Sequence, residues 1–334
     1  MVMAQALYKL LRLESPAAEI HVVAPPWSLP ILERMPEVAR RIELDAGHGE
    51  LRLGDRLAVG RRLRAERYTR AIVLPRSAKS ALVPWFAQVP RRTGFRGEWR
   101  YGLLNDVRSL DARLDQTVKR FVALGQPRGS EPLRTLPPEL QPRLVNDPAN
   151  FERLRSQHAL RRGAALAALM PGAEFGPAKR WPAEHYGALA AELAAADRDV
   201  VVLGSAKERA IGDEVVARAA HPRVQNLCGA TSLADVVDLL AAAEVAVSND
   251  SGLLHVAAAA GAPVVAIYGS SSPRFTPPLT AAAAVLSLAL ECSPCFAREC
   301  PLMHLRCLNE LLPATVLRAV ESVRTRRAPA SASR

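Results

Sequence analysis

The sequence predicts an α/β protein of two doubly wound domains, and three observations predict it. Apolar β-branched runs alternate with helical patterns along nearly the whole chain, at Glu19–Ala24, Ala71–Leu74, Ala164–Leu169, Val200–Gly204, Val245–Val247 before the turn formers Ser248, Asn249 and Asp250, and Pro263–Tyr268. Several of these runs end in Gly, Ser, Asn or Asp turns that open a helix. A stretch at 125–162, with prolines at 127, 132, 137, 138, 142 and 148 and little periodicity, marks an interdomain linker. The 334 residues suit about two domains, placed at 1–150 and 151–328 with a disordered tail at 329–334.

In chain order, Met3–Leu13 has helical spacing, a strand follows at Glu19–Ala24, and a second helix is expected around Ile31–Arg41. Ala71–Leu74 reads as a buried strand, and Arg76-Ser-Ala-Lys-Ser80 as the polar loop opening the next helix. In the second domain the strand Ala164–Leu169 leads into Pro171-Gly-Ala-Glu-Phe-Gly-Pro-Ala-Lys-Arg-Trp-Pro182. Helices are expected at about Glu184–Ala196, Glu208–Ala219, Leu233–Ala243 and Thr315–Arg327. Ligands of such a domain lie at the carboxyl ends of its strands.

Composition narrows the function classes. With 49% hydrophobic residues the chain can build cores, and no apolar run reaches the ~18 residues of a spanning helix. Lys9, Arg12, Glu14 and Glu19 near the start rule out a signal-peptide core, so a cytoplasmic protein is expected. The net charge is +11, and residues 51–100 alone hold 13 Arg or Lys against Asp55, Glu66 and Glu98. Such a face suits a phosphorylated substrate or an anionic membrane surface. Nucleic acid is disfavoured, because few aromatics beyond Phe95, Trp99 and Tyr101 interleave the basic residues.

The stretch Val245-Ala-Val-Ser-Asn-Asp-Ser-Gly-Leu-Leu-His255 is a strand, a tight turn and a helix N-terminus. The first N–H groups of a helix have no partner inside it and its dipole is positive there, so the turn is an anion cradle. Lys179 in the Pro171–Pro182 loop supplies a point charge for phosphate. The loops at Gly172, Gly204-Ser205 and Gly269–Thr276 add small residues. Neither a Gly-x-Gly-x-x-Gly fingerprint nor a phosphate-loop lysine motif is present, which favours a sugar nucleotide over a dinucleotide. Plainer readings stand beside these: Lys179 as a surface lysine, Asp250 as a helix N-cap, His255 as a core histidine. Cys292, Cys295, Cys300 and Cys307, spaced by two, four and six residues, could form a structural zinc or iron–sulfur site, or be incidental thiols. Cys228 stands apart as a small core residue.

Three of these stretches, Pro171–Pro182, Asn249–His255 and Ser271-Ser-Pro-Arg-Phe-Thr-Pro-Pro278, resemble the lipopolysaccharide heptosyltransferases of glycosyltransferase family 9. So do Met35-Pro-Glu-Val38, Gly47-His-Gly49, Leu74–Pro84 and Arg92–Asp106 upstream. The resemblance implies a GT-B fold of two Rossmann-like domains facing across a cleft, with no cofactor needed for catalysis. It implies inverting transfer of L-glycero-D-manno-heptose from ADP-heptose to the first heptose of a heptosyl-Kdo2-lipid A acceptor, at the inner face of the inner membrane. Carried over to this sequence, Lys179 holds the donor phosphates and Asp250 the sugar hydroxyls. Ser251, Gly252 and His255 line the diphosphate site; the strand-end loops add Gly172, Gly204, Ser205, Ser271 and Thr276 as donor-binding candidates from their position. Arg76, Lys79, Arg92, Arg96 and Arg100 become the candidate acceptor face.

The family's first strand ends in a Gly-Asp loop whose aspartate is taken as the general base, and here that aspartate is expected just before Met1. A natural product longer by roughly a dozen residues is therefore expected. Without that base, worth ~10²–10⁴-fold, little activity is expected. Alternatives are a sister enzyme adding a different core heptose and a non-catalytic protein that binds lipid A or carbohydrate.

Overall fold

The computed structural model describes residues 1–47 and 49–324, so His48 and the expected C-terminal tail lie outside the described residues. The chain forms two compact units, Met3–Pro142 and a second beginning at Arg143. Both are α/β with parallel strands throughout, the expected class. Among the described residues no helix is long and apolar enough to cross a membrane.

Among the described residues the first unit holds five strands in two sheets. β1 (Ile20–Ala24) pairs with β2 (Val38–Glu43), and β3 (Arg70–Val73), β4 (Arg91–Phe95) and β5 (Asp106–Arg108) form the other. β2 corrects the helix expected around Ile31–Arg41. Only Leu29–Leu32 is α-helical there, and from Val38 the chain runs as a strand whose Ile42 is buried while its neighbours Arg41 and Glu43 are exposed. Pairing with β1 settles what the local pattern left ambiguous, a tertiary override of the kind short segments invite. β4 lies in the arginine-rich stretch and β5 just after it, and charged residues in both mask a strand pattern.

The second unit is one six-stranded sheet. Its strands are β6 (Leu166–Met170), β7 (Asp199–Val202), β8 (Val224–Asn226), β9 (Val245–Asn249), β10 (Val264–Ile267) and β11 (Ala283–Leu286). The spatial order is β11-β10-β9-β6-β7-β8. Every residue of β6, β7, β9 and β10 is buried, as expected of strands covered on both faces. The core joins Leu169, Val200, Val202, Val245, Val247, Val265 and Ile267 to Leu189 and Leu193 of the Ala183–Ala195 helix. Val316, Val320 and Val323 of the Pro313–Arg324 helix close it. The stretch read as an irregular linker contains a helix, Pro148–Gln157, capped by the Asp147 side chain on the amides of Ala149 and Asn150. Asn150 Nδ2 ties it to Asp235 and Asp238 at 2.9 and 2.7 Å, which explains order in a segment of weak periodicity.

From β6 the chain builds outward through β7 and β8, then returns beside β6 as β9 and builds the other way. The switch point lies between β6 and β9, and the loops leaving the carboxyl ends of these two strands are where such a sheet takes its ligands.

Candidate active site

The loops that leave β6 and β9 carry Lys179 and Asp250, and they meet. Lys179 Nζ donates to Asp250 Oδ2 at 2.5 Å. Thr276 Oγ1, from the loop after β10, donates to Asp250 Oδ1 at 3.2 Å. One carboxylate, 5% exposed at its side chain, thus joins three loops from across 97 residues of sequence. Lys179 Nζ also lies 4.9 Å from the centroid of the Phe175 ring, a cation–π contact that fixes the ammonium from a second side.

Beside this pair the Gly252–Ala260 helix opens with Ser251 as its N-cap, and Ser251 makes no capping hydrogen bond from its side chain. No acidic residue occupies the first turn. The helix therefore presents amide donors and the positive end of its dipole without an internal counter-charge. Ser270 and Ser271, on the loop after β10, are both buried, and neither hydroxyl has a hydrogen-bond partner. The buried Nδ1 of His255 is also unpartnered. Burial drives the imidazole pKa down, and the nearby Asp250 carboxylate only partly opposes this, so the ring is neutral at physiological pH. Donors buried without partners are costly in a closed protein, and here they cluster where an anionic ligand would satisfy them.

The frame holding these groups rests on a residue that sequence reasoning treated only as a turn former. Asn249, fully buried at the end of β9, accepts at Oδ1 from the Trp181 amide at 3.0 Å and the Tyr186 hydroxyl at 3.1 Å. Its Nδ2 donates to the Pro171 carbonyl at 2.7 Å. Both ends of the Pro171–Trp181 loop, and with them Lys179, are fastened to the strand that carries Asp250.

Gly172, Gly204 and Ser205 meet around the Glu208 carboxylate. The Ser205 amide and hydroxyl both donate to Glu208 Oε2, at 2.7 and 3.0 Å, closing a capping box. A Cβ on Gly172 would overlap Glu208 Oε1 at 1.5 Å, and one on Gly204 would come within 2.9 Å of Oε2. The two glycines make room for the Glu208 carboxylate. The Ser205-x-x-Glu208 spacing was the readable signal.

The acceptor candidates divide. Arg100 is 2% exposed and donates to the carbonyls of Pro75 at 2.7 Å, Ser77 and Phe95. Arg92 donates to the carbonyls of Leu103 and Val89, each at 2.6 Å, and of Gly102. Both are structural ties between loops, which corrects their assignment to an acceptor face. Arg76 and Arg96 are exposed at the carboxyl ends of β3 and β4 and Lys79 is half-buried nearby. Replacing Arg100 by Met should strand the buried Phe95 carbonyl, release those of Pro75 and Ser77, and lower thermal stability by about 1–3 kcal/mol, leaving any acceptor KM little changed. Thermal unfolding run beside acceptor titration checks both halves.

The four clustered cysteines are also corrected. All are free thiols, and among the described residues no group of three or more His, Cys, Asp or Glu side chains gathers as a metal site. Cys307 is buried in the apolar core with Leu308 and Val316, its thiol pKa raised by burial and by the neighbouring thiols of Cys292, Cys300 and Cys295, while Cys295 is exposed. Cys228 is a core residue as expected, its thiol pKa pushed up to about 12 by burial.

The model of glycosyltransferase family 9 (heptosyltransferase) matches residues 56–306. The lipopolysaccharide heptosyltransferases 2 of Salmonella typhimurium and Escherichia coli are each 47% identical over 294 residues, spanning 86% of this chain and 84% of theirs. The lipooligosaccharide heptosyltransferase 2 of Haemophilus influenzae is 43% identical over 86% of this chain and 85% of its own. The solved structure of the E. coli ADP-heptose lipopolysaccharide heptosyltransferase II superposes with a TM-score of 0.87 at 42% identity, covering 98% of this chain and 95% of that one. With Lys179, Asp250 and Thr276 joined at the switch point and likeness along nearly the whole chain, the protein belongs to glycosyltransferase family 9.

Proposed function

We propose that the protein is an inverting glycosyltransferase moving L-glycero-D-manno-heptose from ADP-heptose to the heptose of a heptosyl-Kdo2-lipid A acceptor. The observation that carries this is the contact of Lys179 with Asp250 beside an uncapped helix N-terminus and two unpartnered serine hydroxyls. Such a site is rich in donors and holds one acceptor carboxylate, the complement of a sugar diphosphate.

In the reaction the anomeric C–O bond breaks, its electrons leave on the diphosphate, and the acceptor hydroxyl oxygen bonds the opposite face of the sugar while its O–H bond breaks and the proton passes to a basic group or water beside the acceptor. The leaving ADP gains negative charge as the sugar becomes oxocarbenium-like. Lys179, the amides opening the Gly252–Ala260 helix and the hydroxyls of Ser270 and Ser271 are fixed before that charge develops. They therefore stabilise the transition state more than the ground state. Asp250 positions Lys179 and accepts from sugar hydroxyls, and Thr276 steadies its second oxygen.

Arg76, Lys79 and Arg96 are the groups proposed to meet the acidic acceptor, and Trp27 and Trp99, 76% and 92% exposed, suit the headgroup layer of the cytoplasmic leaflet. Reversing Arg76 and Arg96 to Glu should raise the acceptor KM roughly tenfold and leave the donor KM unchanged. Steady-state kinetics with each substrate varied in turn reads this directly.

The central test measures ADP release with ADP-heptose and a panel of Kdo-lipid A acceptors carrying zero, one or two heptoses. Turnover on the one-heptose acceptor is expected. Turnover on only another member would establish a sister activity, and ADP-heptose binding without turnover on any would establish a binder.

A further inference from the structure

The cysteine-rich loop after β11 does not gather a metal, but it runs along the donor site and is tied to it at several points. Ser293 Oγ donates to the Gly269 carbonyl at 2.6 Å, and the Phe296 amide donates to the Ser270 carbonyl at 2.7 Å. The Ala178 amide donates to the Arg298 carbonyl at 3.0 Å, one residue from Lys179. Gly176, at φ +152°, has room for no side chain there, because a Cβ would stand 2.5 Å from the Arg298 oxygen. Arg298 is thus built against the Lys179 loop by its main chain.

Its side chain extends the same theme. The Arg298 guanidinium carbon lies 5.4 Å from the centroid of the Phe175 ring, the ring that also holds Lys179 Nζ at 4.9 Å. Two cations share one aromatic platform. Asp250 neutralises Lys179, and among the described residues Arg298 has no carboxylate partner. A cation left without a carboxylate beside this ring is placed where an anionic ligand can supply the counter-charge.

We infer that Arg298 is a second donor-site cation, resting on Phe175 when the site is empty and binding the diphosphate of the nucleotide when it is filled. A guanidinium suits this task, since its planar fork can donate to two phosphate oxygens at once, whereas Lys179 acts as a point charge. The inference rests on the ADP-heptose reading of the site and adds to it a residue for holding the leaving group, carried by a loop that the sequence suggested for a metal.

The test compares ADP with AMP by titration calorimetry on the full chain, in the wild type and in Arg298→Ala and Arg298→Lys. The expected result is a roughly tenfold weaker ADP dissociation constant in Arg298→Ala, a loss of less than about threefold for AMP, and an intermediate value in Arg298→Lys. A role confined to bracing the loop would weaken both nucleotides alike and so overturn the inference, as would an unchanged ADP affinity. Wild-type protein that binds no ADP would sink the donor-site reading itself, and this inference with it.

Discussion

Replacing Lys179 by Met should lower kcat/KM for heptosyl transfer by about 10²–10³-fold, the loss typical of removing one preorganised group that stabilises developing charge. Part of any such loss could come from damage to the frame, because the Asp250 carboxylate, 5% exposed, would then lack its cation. Breaking a buried pair on one side is costly, whereas removing both charges often is not. The double variant Lys179→Met with Asp250→Asn separates the two effects. It should recover most of the thermal stability lost in the single variant and none of the activity. If the double variant regains turnover, or the single one stays within about threefold of wild type, the ammonium has no part in leaving-group stabilisation.

The meeting of Lys179, Asp250 and Thr276 was legible in the sequence because its chemistry and its topology coincide. Lys179, Asp250 and Thr276 are polar residues in loops that follow buried apolar strands, and a doubly wound sheet brings such loops together on one edge. Which arginines reach solvent was not legible. Arg76 and Arg100 differ only in the carbonyls near them: Arg100 turns inward to Pro75, Ser77 and Phe95, while Arg76 stays exposed. Sequence spacing carries no information on that choice. The cysteines misled for a similar reason, since the burial of Cys307 among Leu308 and Val316 follows from packing on the Pro313–Arg324 helix. In the fold, β2 was lost because a strand of Val, Ala, Arg, Arg, Ile and Glu gains its identity only from β1 beside it. The all-apolar strands of the second unit needed no such help. Asn249 marks the subtlest limit, because an asparagine between a strand and a helix is a turn former by every local rule.

Asn249 makes the second large effect. The Asn249→Ala variant leaves the Trp181 amide and the Pro171 carbonyl buried without partners and deprives the Tyr186 hydroxyl of one of two acceptors. A loss of about 2–4 kcal/mol is expected, a fall of roughly 5–15 °C in the unfolding temperature of the second unit. Activity should fall as well, because the loop bearing Lys179 is released at both of its ends. The Asn249→Asp variant tests whether the amide donor is what matters. Its carboxylate can still accept from Trp181 and Tyr186, but the oxygen replacing Nδ2 would face the Pro171 carbonyl, next to Asp250. Burial and that carbonyl raise the folded-state pKa of the new carboxyl above its unfolded value. A group so shifted contributes stability that is present at low pH and lost as pH rises through the folded pKa. Asn249→Asp should therefore regain stability between pH 7 and pH 5, where a protonated carboxyl can donate to Pro171, and Asn249→Ala should not. Parallel pH profiles for the two variants would count against a structural role for this amide: the donor to Pro171 would then carry no weight in holding Lys179 against Asp250.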